Sequence, residues 1–417
     1  MVYTVLRMGS TYPDAIGTWG NWGVANVAVT RRIFLAGTAA TVAAGALASR
    51  SAAAASAAAD APVESASAAD ATLDRALARL VAYADGPPGA IAVVQRGQQK
   101  LVHRAGTADL ATRAPLQPAD SMRLASVAKA FSGAVALAVA ADGALCLDDT
   151  VGKWLPGLPR AWSKVTLREL LNHTSGIPDF SQTEAFREAL LKSLLKAPPP
   201  RDLLSYAAPA LNFAPGSKYE YSNSDNIVVG LMVEAATGRS YESELGERVF
   251  GPLGLRRTSL PRDAAVPAPL IHGYDVDPPK PQEDVTHLIA AGWSWASGGI
   301  ISTPDDANAF IRAYARGATT SSGLHGAQFT FRPGSSEPPG PGQNSAGLAI
   351  FRYRTKYGTV YGHTGNTLGY TQFVAASKDG MRSAVVSVNA QITPTSHPAR
   401  FTDLREIYAL AVAAALA

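Results

Sequence analysis

The chain has one cysteine in 417 residues, no His-Glu-x-x-His among its seven histidines, and no uncharged run suited to crossing a bilayer. A lone cysteine excludes an internal disulfide, and its setting, Ala144-Leu145-Cys146-Leu147, predicts a buried thiol. No histidine pair has metal-ligand spacing, so neither a catalytic metal nor any other cofactor is called for. An excess of positive charge is missing too, once the start of the chain is set aside. Residues 1–59 hold four arginines and one aspartate, so of 37 basic and 33 acidic side chains, 33 and 32 remain. That balance offers no footprint for nucleic acid, which needs clustered basic residues.

What the first 59 residues do contain is a leader. Thr30-Arg31-Arg32-Ile33-Phe34-Leu35 is followed by 17 uncharged residues between Arg32 and Arg50, mostly alanine, glycine and threonine, and then by an Ala/Ser-rich run. This pattern predicts twin-arginine export, and hence a secreted or extracytoplasmic protein. The stretch is too short and too weakly apolar to predict a stable membrane span. Residues 1–29 carry only Arg7 and Asp14 as charges and read as an artefact of an upstream start.

The most informative segment is Ser126-Val127-Ala128-Lys129, ahead of an apolar run that reaches Ala141 and closes with Asp142-Gly143. The spacing predicts a buried helix ended by a glycine cap, with residues three apart on one face. A serine hydroxyl is a poor nucleophile until a neighbour takes its proton, and a lysine stripped of water can do so. By itself, Ser-x-x-Lys is matched by any serine three residues before a lysine. Two more segments change its weight. Pro215-Gly216-Ser217-Lys218-Tyr219-Glu220-Tyr221-Ser222-Asn223 ends at the apolar run Ile227 to Val233, and Val360-Tyr361-Gly362-His363-Thr364-Gly365-Asn366 reads as a strand.

In this order the three motifs resemble the serine penicillin-recognising hydrolases, most of all the D-alanyl-D-alanine carboxypeptidase branch, with class C β-lactamases and related esterases nearby. Further likeness lies in Leu170-Leu171-Asn172-His173-Thr174-Ser175-Gly176-Ile177, Ala214-Pro215-Gly216 and Trp295-Ala296-Ser297-Gly298-Gly299, so that it spans about residues 75 to 415. The resemblance implies Ser126 as nucleophile, with Lys129 and Tyr221 sharing the proton traffic; which of the two is the base stays open. It implies Asn223 on the substrate amide and His363, Thr364 and Gly365 along the other side of the cleft; Trp295 is read either as a pocket wall or as buried packing. The backbone N–H groups of Ser126 and Asn366 would form the oxyanion hole. His173 is expected to hold a loop. Asn366 stands where many such carboxypeptidases have a threonine for the substrate's terminal carboxylate.

The implied activity is removal of terminal D-alanine from peptidoglycan stem peptides through an acyl-enzyme that penicillins also form. The alternatives are a β-lactamase or an ester- or amide-cleaving enzyme of the same fold, and a non-catalytic domain that binds a β-lactam or cell-wall peptide. The chain is expected to act as a monomer. The implied fold is α/β of the α+β type, β-lactamase/transpeptidase-like. An antiparallel sheet flanked by helices (60–144 and 291–417) would carry a mostly helical second lobe (145–290). Periodicity and turns predict a helix over Leu73 to Tyr83, a hairpin from Ala90 to Gln95 and Lys100 to Arg104, and a last helix over Thr402 to Leu416. Strands are predicted at Gly347 to Tyr353, Thr359 to His363, Tyr370 to Ala376 and Ser383 to Asn389. Arg332 to Gly342 is predicted as a Pro/Gly/Ser-rich surface insertion.

Overall fold

The structure, a computed structural model, describes residues 66–277, 279–332 and 338–417. The segment predicted as an export signal and the centre of the Pro/Gly/Ser-rich insertion lie outside the described residues.

Helix α1 (Ala66–Val81) is amphipathic and buries Leu73, Leu77 and Leu80. It begins earlier than Leu73 because alanine-rich sequence continues the helix toward the N-terminus. Strands β1 (Gly89–Arg96) and β2 (Gln99–Gly106) form the expected hairpin. The remaining sheet strands all come from the C-terminal part: β3 (Gln343–Ala346), β4 (Phe351–Thr355), β5 (Gly358–Thr367), β6 (Tyr370–Ala376) and β7 (Arg382–Val388). They assemble in the order β2-β1-β7-β6-β5-β4-β3, antiparallel throughout. The two ends of the chain thus build one sheet, as expected.

The segment predicted as one strand from Gly347 to Tyr353 is instead a turn followed by β4. Gly347 N–H donates to Ile350 O, three residues ahead, at 2.8 Å, and Ala349, with a positive φ of 52°, donates its N–H to Leu171 O at 2.7 Å. Pattern alone misses this, because the turn residues are as apolar as a buried strand and are tied down by distant partners.

Alternation along β1 sends Ala90, Ala92 and Val94 to one side and Ile91 and Val93 to the other. The first side packs against α1 and the C-terminal helix, through Leu404, Ile407 and Val412. The second packs against α2 (Ala128–Ala141) and α5 (Pro304–Ala315); α3 (Asn223–Thr237) packs on α2, with the short α4 (Trp295–Gly298) in contact with both. The C-terminal helix is α6 (Pro398–Leu416). Each fully buried Leu, Val or Phe contributes about 1.5–3 kcal/mol of transfer free energy. One buried cluster joins Leu170 and Ile227 of the middle segment to Phe131, Phe310 and Val385. Among the described residues no helix is long and apolar enough to cross a membrane.

Helix α2 must be glycine at residue 133, since a Cβ there would stand 2.3 Å from Ala349 Cβ. It ends as expected at Gly143, whose φ is +80°. Cys146 departs from expectation: it is exposed, while Leu145 and Leu147 on either side are buried. An apolar neighbourhood in sequence does not fix which way the residue between two anchors points.

Candidate active site

The nucleophile turn sits where chain geometry is forced. Ser126 lies in a single 3-10 turn, Ala125–Val127, that runs directly into α2, so its N–H has no acceptor one helical turn earlier. Ala125 before it has a φ of +50°, in the region that favours glycine. Such strain persists where surrounding contacts over-determine it, and it gathers at functional sites.

Lys129 is buried and reaches three oxygens. Its Nζ is 2.7 Å from Asn223 Oδ1, 2.7 Å from the Ser297 carbonyl oxygen and 3.2 Å from Ser126 Oγ. Burial pushes its pKa down to about 7, against the partly opposing charges of Asp179 and Asp225. A neutral amine has two hydrogens and one lone pair. The Asn223 and Ser297 oxygens accept only, so they take the two hydrogens and leave the lone pair to the Ser126 hydroxyl. The Tyr221 ring lies with its centroid 4.9 Å from the same nitrogen.

Asn223 is held at both ends of its carboxamide. Its Oδ1 holds Lys129, and its Nδ2 donates to Asp179 Oδ2 at 2.8 Å and to Ser181 Oγ at 3.0 Å. The role the structure shows for the carboxamide is to orient the lysine. Asp179 is itself held by the N–H and hydroxyl of Ser181.

Behind Tyr221 lies a second buried polar group. His173, with a φ of +57°, pairs through Nδ1 with Asp225 Oδ2 at 2.8 Å, and Ser175 donates to Asp225 Oδ1 at 2.5 Å. Burial pushes the Asp225 carboxyl up and the His173 imidazole down, which favours a neutral pair with one proton between them. The His173 ring packs on Tyr221 with centroids 4.6 Å apart, and its backbone O accepts from Glu220 N. The loop-holding position read from the sequence is where His173 stands.

Strand β5 closes the other side. Residues 358–362 pair with β4 and residues 361–367 with β6, so beyond Gly362 one edge has no strand beside it. The β5–β6 turn has two residues, Leu368 and Gly369, between the paired Thr367 and Tyr370. Hydrogen-bonded and non-bonded pairs alternate from such a turn, which directs the N–H and C=O of Thr364 and Asn366 toward the open edge. Gly365 lies flat on the nucleophile turn: a Cβ there would be 2.3 Å from Leu124 O and 3.3 Å from Ser126 N. The N–H groups of Ser126 and Asn366 are thereby brought into one neighbourhood, the arrangement an oxyanion hole needs.

His363 shares its face of β5 with Gly365 and is completely buried. Its Nδ1 donates to Thr364 O at 2.5 Å, which leaves Nε2 as the acceptor, without a hydrogen-bond partner among the described residues. Burial first, and then the charge of Lys129, push its pKa down to about 3, so it is neutral at ordinary pH. The Thr364 and Asn366 side chains lie on the opposite face. Asn366 Nδ2 donates to Ile392 O at 2.6 Å, so its carboxamide braces the sheet and only its backbone faces the cleft.

Of the two readings of Trp295, the structure selects buried packing. The residue is fully buried against α3, where a Cβ on Gly230 would be 2.7 Å from its ring, and its Nε1 donates to Glu242 Oε1 at 2.9 Å. Its bulk is core, and the pocket contribution of that segment is the Ser297 carbonyl. Sequence reasoning also missed Asp179 and Asp225. The Pro178-Asp179 turn and an aspartate in the first turn of an otherwise apolar helix were the available signals.

Comparison with known proteins gives a consistent picture. The Beta-lactamase family profile matches residues 73–409. The chain is 32% identical over 203 residues to a D-aminopeptidase of Cereibacter sphaeroides (strain KD131 / KCTC 12085), covering 49% of this chain and 39% of that protein. It is 28% identical over 197 residues to Penicillin-binding protein 4* of Bacillus subtilis (strain 168), covering 45% and 42%. The matches thus span less than half the length of these curated relatives. The solved structure of a D-stereospecific amidohydrolase from Streptomyces sp. superposes with a TM-score of 0.69 at 30% identity, over 77% of this chain and 94% of that one. A D-amino acid amidase from Ochrobactrum anthropi SV3 shares the fold, with a TM-score of 0.69 at 21% identity over 81% and 97%.

Proposed function

The chain belongs to the beta-lactamase family, and from that premise we propose that it is a serine amidohydrolase that carries the acyl group of a D-configured residue on Ser126 before passing it to water. The observation that carries this reading is the Lys129 amine, held by two carbonyl oxygens so that its lone pair meets the Ser126 hydroxyl. Ser126 Oγ attacks the substrate carbonyl carbon while Lys129 Nζ takes its proton. The oxyanion is received by the N–H groups of Ser126 and Asn366, each such donor contributing about 10²–10³ in rate. Collapse expels the amine or alkoxide, which regains a proton through Lys129 and the Tyr221 hydroxyl. Water then attacks the ester on Ser126 by the same path in reverse.

The preference for D residues is supported by the named activities of the D-stereospecific amidohydrolase and the D-aminopeptidase. A carboxypeptidase also needs a group for the substrate's terminal carboxylate. Of the side chains near the motif, Asn366 is engaged with Ile392 O and Arg352 with Ser345 and over the Phe331 ring, while Arg354, on the same strand as Arg352, is exposed. We therefore assign an uncharged leaving side, an amide, peptide or ester, in preference to a free terminal D-alanine. The reading is tested by hydrolysis of D- and L-phenylalanine p-nitroanilides. It predicts turnover of the D substrate, lost in Ser126→Ala; equal rates for both enantiomers would remove the stereochemical part.

A further inference from the structure

Gln372 is completely buried on β6, directly opposite Gly365 of β5. The alternation that turns Asn366 toward the open edge makes Gly365 and Gln372 a hydrogen-bonded pair. Cross-strand partners share a face, and on that face Gly365 has no side chain, so the Gln372 chain passes under the nucleophile turn. Its Nε2 donates to Arg123 O at 3.0 Å and lies 3.5 Å from Met122 Sδ, while its Oε1 has no hydrogen-bond partner among the described residues.

The segment it grips leads straight into the strained residue. Arg123 is three positions before Ser126 and two before Ala125, whose φ is +50°. Other restraints on this segment include the antiparallel pairing of Met122 and Arg123 with Ser302 and Ile301, Leu124 N–H to Ile300 O at 3.0 Å, and the Arg123 guanidinium on Ala264 O and Thr286 O. These come from the middle of the chain or the segment before α5. Among these restraints, Gln372 is the one that comes from the sheet strand beside β5.

We infer that Gln372 is a positioning residue: through its backbone it holds Gly365 and hence the Asn366 N–H, and through its carboxamide it holds Arg123 and hence the Ser126 N–H. One side chain then sets the spacing of the two donors that face the oxyanion. The inference rests on the proposed reaction for its kinetic consequence, and on geometry alone for its effect on the nucleophile turn. A role in packing alone would be kept by methionine, which has similar length and no donor. Spacing would not be kept, since Arg123 O would lose its partner and the Ala125 strain one of its restraints.

The experiment compares wild type with Gln372→Met and Gln372→Glu. For Gln372→Met, kcat on a D-aminoacyl ester should fall at least tenfold with KM within twofold. Amide hydrogen exchange over residues 124–127 should quicken at least tenfold, while that of residues 134–139 in α2 is unchanged. For Gln372→Glu, the carboxylic acid form keeps an O–H donor and the carboxylate does not, so activity relative to wild type at the same pH should fall as pH rises. Unchanged kcat and unchanged exchange in Gln372→Met, or a flat ratio for Gln372→Glu, would overturn the inference. If wild type shows no turnover, the proposed reaction fails, and the exchange rates still decide whether Gln372 holds the turn.

Discussion

Ser126 Oγ lies 3.2 Å from Lys129 Nζ, on the side of the amine that the oxygens of Asn223 and Ser297 leave open. Distance alone would not make the lysine a base. Burial lowers its pKa to about 7, and the two acceptors orient what remains. The Asp179 carboxylate acts on both counts, since it anchors Asn223 and its charge favours the ammonium.

Replacing Asp179 by alanine removes a charge that raises the Lys129 pKa, so the acid limb of the pH–kcat/KM profile should move to lower pH. The plateau rate should fall about tenfold, equivalent to roughly 1.4 kcal/mol, as Asn223 loses its anchor. A limb displaced upward would show that Asp179 does not act on the lysine through its charge.

Lys129 should also leave a mark on stability. Its folded pKa of about 7 lies below the unfolded value near 10.4, so between these the unfolded chain binds the proton that the folded chain has shed. Stability therefore rises with pH across that window, by up to about 1.4 kcal/mol per pH unit, and this contribution is lost as pH falls through about 7. Urea unfolding of wild type and Lys129→Met from pH 6 to 10 checks this: the rise should be present in the first and absent in the second.

His363 is held neutral with its proton on Nδ1, so its ring should not titrate near neutrality. The ring proton shifts in an NMR titration from pH 5 to 8 should stay flat. His363→Asn should lose activity while keeping an acid limb near pH 7, because that limb belongs to Lys129. Disappearance of the limb would reassign it to the histidine.

Trp295 packs in the core and does not line the cleft. Trp295→Ala should cost about 3–5 kcal/mol of unfolding free energy in urea. A variant with wild-type stability but an altered KM would restore Trp295 as a pocket wall.

These residues also show where the sequence is legible. The Ser126 and Lys129 pair was legible from its i to i+3 spacing at a helix start, whereas Tyr221 and His363 were implied by the family resemblance of their motifs, and the fold brings them beside Lys129. The hairpin and Tyr370–Ala376 follow from strand periodicity and turns. The Ser297 carbonyl was hidden, since a backbone oxygen leaves no residue type to read. Asp179 and Asp225 reach the site across sequence separations of 44 and 52 to their partners Asn223 and His173, and no local period encodes that. The strained Ala125, His173 and Ala349 were equally silent, because none is a glycine. The backbone N–H of Asn366 was legible only through the family resemblance, and the carboxamide of the same residue is turned away to Ile392 O.

The central claim is that Ser126 carries the acyl group with Lys129 as its base. Its most direct test is peptide-mapped mass spectrometry over time, on wild type, Ser126→Ala and Lys129→Met, with a D-phenylalanine ester and with benzylpenicillin. The account predicts an acyl adduct on the Ser126 peptide of wild type, its absence in Ser126→Ala, and its formation at least 10³-fold more slowly in Lys129→Met, about 4 kcal/mol in barrier. Turnover or an adduct that persists in Ser126→Ala would contradict it.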